Sequence, residues 1–208
     1  MRASKPHVLL VCRWHPVFRP DLCSGQQEQQ DARFTMNLFF RFLRIFLPAY
    51  FSGKRTAPLD VHVIKSAVWI GDHDPMGHMT NSRYASFTDL GMLNYIARTG
   101  FLKVFRKHGW TPVIQSESIS FHRMMRFPQK FELHTRPVGW EDSYILFEHT
   151  FRSKGRIVAE SRMVARLVGR KKERVTIDMV FEGYGIDMDS PEISPAFRAM
   201  LDELKVRP

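Results

Sequence analysis

The spacing of apolar residues after the first sixty positions predicts a strand, a long helix and a short helix. Residues 61–69 alternate loosely and are rich in Val and Ile, as is typical of a strand. Between Asn81 and Ala97, apolar residues recur close to every 3.6 positions, which predicts a deeply buried helix that ends at Gly100. A second, short helix is predicted over Phe101–Lys107.

Strand signals dominate the chain beyond residue 110. Four strands are predicted, with turn segments between them: Thr111–Phe121, Lys130–Val138, Tyr144–Ser153 and Ile157–Val168. A run of strands after one central helix indicates an α+β fold in which an antiparallel sheet wraps around that helix. A short amphipathic helix is predicted within Pro191–Leu204, starting after Ser190 or at Ser194-Pro195.

Residues 1–35 lack the pattern of a packed domain. The first twenty residues contain Arg and Lys but no acidic residue, and a glutamine-rich stretch follows. We interpret this part as a disordered or presequence-like tail, with a mitochondrial transit peptide as the alternative. Translation that starts at Met36 would remove the tail together with Cys12 and Cys23.

The sequence pattern of residues 36–55 predicts an apolar helix with arginines on one narrow face. Arg41 and Arg44 lie three positions apart among Phe, Leu and Ile residues. Such a helix is short for a membrane span but suited to lie in the membrane interface, so we expect peripheral membrane contact here. Packing on the domain's own core or on a second subunit is the alternative. Pro48 is expected to kink or end the helix.

Composition and charge limit the classes of function. With 208 residues, 44% of them hydrophobic, the chain has the size and composition of one globular domain. The net charge of +10 favours binding of a polyanionic partner such as nucleic acid, an anionic membrane or a phosphate-rich ligand. No recognisable nucleic-acid-binding module is present, so we expect no nucleic-acid partner. Two cysteines without a metal-ligand spacing argue against a disulfide framework and a zinc site.

The most informative stretch for chemistry is residues 72–84, which read DHDPMGHMTNSRY between the predicted strand and the central helix. The first amides of a helix have no intrahelical acceptor and can stabilise an oxyanion. A carboxylate a few residues upstream could attack a carbonyl or activate a water molecule. The alternative is that Asp72 and Asp74 serve only as turn and capping residues.

These residues resemble the motif of the hotdog-fold acyl-CoA thioesterases of the 4-hydroxybenzoyl-CoA thioesterase type. The family motif is Asp-x-Asp-x-x-Gly followed by Asn or His and then Tyr, and the matching residues are Asp72, Asp74, Gly77, Asn81 and Tyr84. A closer likeness is to the thioesterase superfamily member six group, which reads His-Met-Asn-Asn-x-Arg-Tyr where this chain has His78-Met79-Thr80-Asn81-Ser82-Arg83-Tyr84. The resemblance covers about residues 60–170.

The resemblance implies an α+β hotdog fold, paired into a homodimer or higher homo-oligomer with the active site at the subunit interface. It implies that Asp74 is the catalytic nucleophile or general base and that the backbone amide of Asn81 polarises the thioester carbonyl. Asp72 is a secondary candidate. The expected substrate-binding residues are Gly77, His78, Tyr84 and Arg123. No cofactor or metal is expected.

The leading hypothesis is an acyl-CoA thioesterase, which releases a carboxylic acid and free CoA. The alternative is a non-enzymatic acyl- or lipid-binding protein of the same fold at a membrane. Cationic side chains near the substrate pocket would bind the CoA phosphates. The candidates are Arg123 and Arg126, or the cluster over residues 170–174.

We expect a membrane-associated protein, with the endoplasmic reticulum and the mitochondrion as candidate organelles. Four segments result: the tail 1–35, the helix and linker 36–58, the hotdog domain 59–185 and a C-terminal tail with a short helix, 186–208.

Overall fold

The computed structural model describes residues 40–51, 55–170 and 173–206, which contain one five-stranded sheet and five α-helices. The strands are β1 His62–Ala67, β2 Thr111–Phe121, β3 Lys130–Glu141, β4 Tyr144–Ser153 and β5 Arg156–Val168. The helices are α1 (residues 40–51), α2 Asn81–Thr99, α3 Phe101–His108, α4 Ile177–Tyr184 and α5 Pro195–Val206.

The sheet is antiparallel throughout, in the order β1-β3-β4-β5-β2. Helix α2 packs on one face, where Phe87 and Tyr95 are almost fully buried in two apolar clusters shared with the strands. Helix α5 covers part of the other face with Phe197 and Leu201, which pack against side chains of β4 and β5. A central helix wrapped by an antiparallel sheet is the hotdog arrangement, and it confirms the predicted α+β fold.

Helix α2 lies unusually close to strand β3. A Cβ atom placed on Gly91 would meet the hydroxyl oxygen of Thr135 at 2.3 Å. That hydroxyl lies 3.0 Å from the Nδ1 atom of His149, and both side chains are almost fully buried. Glycine at position 91 therefore allows the helix backbone to approach this polar pair.

Helix α1 packs on the domain with one side. Arg41 and Ala49 are buried, and Ile45 packs against the cluster beneath α2. The helix continues through Pro48 to residue 51, so Pro48 does not end it, and the alternative that Pro48 kinks the helix stays a prediction. Pro48 is exposed, which allows water to bind the carbonyl group that proline leaves without a donor. No helix within the described ranges is both long and apolar enough to cross a membrane.

Other differences from the sequence-based prediction concern element ends and short helices. Strand β3 runs on to Glu141, because Trp140 is buried and pairs with Ile145 of β4. Helix α4 was not predicted from the sequence, and α5 starts at Pro195, which is the second of its two predicted starts. The predicted tail 1–35, Met36 and both cysteines lie outside the described residues, as do Lys171 and Lys172 of the basic cluster.

The stability of the fold is expected to fall as the pH drops below about 6.5. Burial lowers the pKa of His149 from 6.5 to about 3. The unfolded chain therefore binds a proton in this window that the folded chain excludes, which costs about 2 kcal/mol at pH 5. Urea unfolding at pH 7.5 and pH 5 measures the difference. The variant His149→Gln is expected to lose that part of the pH dependence, and an unchanged dependence would contradict the assignment.

Candidate functional site

The segment between β1 and α2 forms a small closed turn. His73 and Met79 pair across it in antiparallel fashion. The N–H of Asp74 donates to the carbonyl of His78 at 2.8 Å, and the N–H of Gly77 donates to the carbonyl of Asp74 at 3.0 Å. Gly77 has a φ of 76°, a left-handed conformation that favours glycine. The residues of the sequence motif thus make a defined loop, which we call the motif loop (residues 72–80).

Asp74 lies half-buried inside this turn. Its Oδ1 atom accepts the N–H of Met76 at 2.9 Å and the N–H of His78 at 3.0 Å. Both donors engage the same oxygen, so the carboxylate has a fixed orientation while its Oδ2 atom makes neither of these bonds. A fixed and partly accessible carboxylate is the arrangement that a nucleophile or general base requires.

Asp72 lies in a different environment. It ends a 3₁₀ helix over Ile70–Asp72 and is 0% exposed. Its Oδ2 atom lies 2.7 Å from the guanidinium of Arg41 and accepts the N–H of Trp69 at 2.8 Å, and its Oδ1 atom lies 3.4 Å from Nε of Arg83. A buried carboxylate between two arginines holds the loop and α1 together and has no access to a substrate.

The start of α2 adjoins the motif loop. Thr80 precedes the helix in an extended conformation, and its side chain does not cap the first turn. The N–H of Thr80 donates to the carbonyl of Asp72 at 2.9 Å, which ties the helix start to the loop. Asn81 is the first helical residue and is exposed. Its backbone amide belongs to the helix end that lacks intrahelical acceptors, where partial positive charge accumulates.

A second loop, residues 122–129, packs against the motif loop and adds positive charge. The N–H of Met79 donates to the carbonyl of Met125 at 2.8 Å. The guanidinium of Arg126 lies 2.8 Å from Nε2 of His78, and the N–H of Phe127 donates to Nε2 of His73 at 2.7 Å. These two histidines therefore anchor the neighbouring loop, a role that the sequence motif alone does not reveal.

Two further residues expected to bind substrate, Arg123 and Tyr84, differ in their exposure to solvent. Arg123 is exposed on the second loop, where its backbone N–H donates to the carbonyl of Val158 at 3.0 Å. Tyr84 is 2% exposed, and its ring packs edge-on against Phe121 and Phe151. In the basic cluster, Arg174 forms an ion pair with Asp142 at 3.0 Å.

Two carboxylates that the sequence analysis did not single out have raised pKa values. Desolvation by the surrounding protein and the negative charge of Glu117 raise the pKa of Asp89 to about 7, although Asp89 is an exposed residue. Burial also raises the pKa of Glu117, whose Oε1 atom accepts the hydroxyl of Ser161 at 2.6 Å. In the chain, Asp89 lies between Thr88 and Leu90, which are both buried. A carboxyl group that titrates near pH 7 is suited to general acid–base chemistry.

Exposed apolar side chains lie on the motif loop and on the neighbouring loop, residues 122–129. Met76 is 81% exposed, Met124 is 71% exposed and Phe127 is 48% exposed. Flexible methionine side chains can adapt to an acyl chain or to a second subunit. Within the described ranges, no group of three or more His, Cys, Asp or Glu side chains is placed to hold a metal ion.

The chain is similar in sequence to a known protein family and to curated proteins. The model of a family described as the thioesterase-like superfamily matches residues 68–201. Protein THEM6 of Danio rerio is 30% identical over 116 residues, which are 56% of this chain and 57% of that protein. Protein THEM6 of Xenopus laevis is 29% identical over 93 residues, 45% of each protein. The chain therefore spans about half the length of these curated relatives.

Solved structures share the fold at low sequence identity. A probable thioesterase from Bartonella henselae has a TM-score of 0.53 and 16% identity, covering 57% of this chain and 99% of that one. A mutant of 4-hydroxybenzoyl-CoA thioesterase in complex with 4-hydroxybenzoyl-CoA has a TM-score of 0.53 and 16% identity, covering 59% and 97%. Both likenesses concern the fold.

Proposed function

Because the chain belongs to the thioesterase-like superfamily, we propose that it hydrolyses acyl-CoA thioesters to a carboxylic acid and free CoA. The observation that carries this proposal is the contrast between the two motif carboxylates. Asp72 is fully buried in an ion-pair cluster, whereas Asp74 is half-buried and held by two backbone N–H groups of the motif loop that leads into α2. Asp72 therefore stabilises the loop, and Asp74 is the motif carboxylate that can react with a substrate.

In the proposed reaction, Asp74 supplies the carboxylate and α2 supplies the oxyanion site. The amide of Asn81 donates a hydrogen bond to the thioester oxygen as negative charge develops there. Asp74 either attacks the carbonyl carbon, forming an anhydride that water then cleaves, or removes a proton from an attacking water molecule. In both routes the C–S bond breaks, the CoA thiolate leaves and takes up a proton, and the acyl group ends as a carboxylate.

Cationic and apolar surfaces around the loop support an acyl-CoA as the substrate. Arg123 and Arg126 lie on the loop beside Asp74 and can bind phosphate oxygens. The exposed side chains of Met76 and Met124 offer apolar surface for an acyl chain. A related solved thioesterase is described in complex with an acyl-CoA, which agrees with this substrate class.

Product analysis with a series of acyl-CoAs tests the proposal. We expect purified protein to release free CoA and the matching carboxylic acid in equal amounts, with a preferred acyl-chain length. Aromatic and straight-chain acyl-CoAs belong in the same series, since the exposed methionines do not select between them. Saturable acyl-CoA binding without release of either product would instead support an acyl-binding protein.

Asp89 is the competing catalytic carboxylate. With a pKa raised to about 7, it could exchange a proton during the reaction. We expect Asp89→Asn to keep at least about a tenth of the parent kcat, because general acid–base groups contribute about 10²- to 10⁴-fold and Asp74 remains in place. The measurement is kcat across pH 5.5–8.5. A loss of 100-fold or more in Asp89→Asn would transfer the catalytic role to this residue.

We also propose that the chain forms a homodimer through strand β2. This strand is 11 residues long and lies at the end of the sheet order, paired with β5 alone among the described strands. An exposed strand edge carries N–H and C=O groups that can pair with another chain. Pairing of two β2 strands would join the sheets of two copies, and sedimentation analysis of the purified protein measures the resulting mass.

Helix α1 is proposed to contact a membrane surface. Its outer side carries Phe40, Leu47 and Phe51, which are 62%, 44% and 74% exposed. Apolar residues beside cationic ones suit the interface between headgroups and acyl chains. The protein is expected to pellet with anionic vesicles, and the triple variant Phe40→Ser, Leu47→Ser, Phe51→Ser is expected to remain in the supernatant. Equal pelleting of both proteins would contradict this contact.

A further inference from the structure

A cavity of about 970 Å³ lies between α1 and one end of the sheet. Its walls come from α1, from β1 and the residues after it, from the start of β3 and from the β4–β5 turn. The apolar part of the lining is formed by Phe40, Ile45, Ala67, Trp69 and Phe131. Asp74, Asn81 and His78 do not line it, so the cavity is separate from the proposed catalytic site.

The polar part of the cavity lining is strongly cationic. Among the lining residues, Arg44, Lys130, Arg152 and Lys154 are exposed, and none of them forms an ion pair with a described acidic residue. Among the described residues of the lining, Glu132 alone is acidic, and its carboxylate contacts Lys65 at 3.1 Å and His134 at 3.2 Å. The described cationic side chains of this lining outnumber its described carboxylate, and an excess of positive charge suits a ligand that carries an anionic group.

Helix α1 connects this cavity with the apolar outer surface. Phe40, Arg44, Leu47 and Phe51 follow one another at spacings of four, three and four residues, so they share one side of the helix. Phe40 and Arg44 line the cavity, while Leu47 and Phe51 continue the same exposed side beyond it. A ligand that lies in the cavity can therefore extend along an apolar surface that faces away from the domain.

We propose that this cavity binds a single phospholipid with a phosphate headgroup taken from a membrane surface. The headgroup phosphate lies against Lys130, Arg152 and Lys154, and an acyl chain packs on Phe40, Ile45 and Trp69. A lipid fits better than a soluble phosphate compound because the apolar wall continues into the exposed side of α1. The volume is in the range of about 300–1,000 Å³ that small-molecule pockets have.

Binding of short-chain lipids below their micelle concentration tests this site without a membrane. The probes are dihexanoyl phosphatidic acid, the neutral-headgroup lipid dihexanoyl phosphatidylcholine, inorganic phosphate and free CoA. Trp69 lines the cavity and is 54% exposed, so its fluorescence reports occupancy, and Trp69→Phe identifies its share of the signal. We expect saturable binding of phosphatidic acid that is at least 10-fold tighter than that of the other three probes.

Charge variants locate the binding. The double variant Lys130→Gln, Lys154→Gln is expected to weaken phosphatidic acid binding by at least 10-fold, because it removes two charge-assisted contacts. The matched control is Lys103→Gln, Arg106→Gln, which removes the same charge from exposed positions on α3 and is expected to bind as the parent does. Circular dichroism and urea unfolding establish that both variants are folded.

Three outcomes would overturn the proposal. They are the absence of saturable binding, equal weakening in both double variants, and displacement of phosphatidic acid by free CoA at a similar concentration. The last result would assign the cavity to the nucleotide part of a thioester. Phosphatidic acid binding needs no turnover, so it is also measured with Asp74→Asn. Absence of binding in both proteins contradicts the lipid site, whereas absence of CoA release by the parent contradicts the proposed catalysis.

Discussion

Replacement of Asp74 by Asn is expected to lower kcat for acyl-CoA hydrolysis by about 10²- to 10⁴-fold, the usual contribution of a positioned acid–base group. Asparagine keeps an oxygen at the Oδ1 position, so the bonds from the N–H groups of Met76 and His78 can persist. It cannot attack a carbonyl or remove a proton from water. The loss should therefore fall on kcat, while the KM for the substrate changes by less than a factor of a few.

Structural damage must be separated from lost chemistry in this experiment. Urea unfolding of Asp74→Asn should give a free energy within about 1 kcal/mol of the parent, since only the charge of one half-buried group changes. Asp187→Asn, which removes an exposed carboxylate before α5, is the matched control and should leave kcat unchanged. Full turnover in a folded Asp74→Asn protein would exclude this residue as the catalytic carboxylate.

Replacement of Asp72 by Asn is expected to destabilise the fold by about 3–5 kcal/mol, the usual effect of breaking a buried ion pair. The carboxylate lies 2.7 Å from Arg41 and 3.4 Å from Arg83, and Arg83 is only 1% exposed. Burial lowers the pKa of Arg83, and the charge of Asp72 opposes that effect. Without this charge, two guanidinium groups share a site that excludes water.

The same replacement should loosen α1 and the motif loop together. Asp72 joins Arg41 of α1 to the N–H of Trp69, and its carbonyl accepts the N–H of Thr80 at the start of α2. Urea unfolding measures the loss of stability, and hydrogen exchange in α1 measures the local loosening. Stability within 1 kcal/mol of the parent would show that the cluster contributes little, and Asp187→Asn again provides the comparison.

Much of the fold could be predicted from residue periodicity. The strands Thr111–Phe121 and Tyr144–Ser153 have the predicted bounds, and burial alternates along most of the second strand, as its sequence pattern predicts. Gly100 ends α2 as expected, with a φ of 85°. Helix α4 was not predicted from the sequence, and its residues Val180 and Phe181 pack in the apolar core.

Long-range contacts explain what the motif could not reveal. The sequence places two aspartates in one loop, but only the fold brings Arg41, 31 residues away, onto Asp72. The approach of Glu117 to Asp89 likewise depends on how β2 packs against α2, and no local pattern predicts it. Gly77 was recognised from the motif, and its left-handed φ gives a physical reason for glycine at that position.

The most direct test of the proposed hydrolysis is the initial rate of CoA thiol release by the purified protein from a saturating acyl-CoA, measured against buffer alone. We expect a rate that is proportional to protein concentration, saturates with substrate and is accompanied by an equal amount of carboxylic acid. A rate equal to that of buffer, from a folded protein that binds the acyl-CoA saturably, would contradict it.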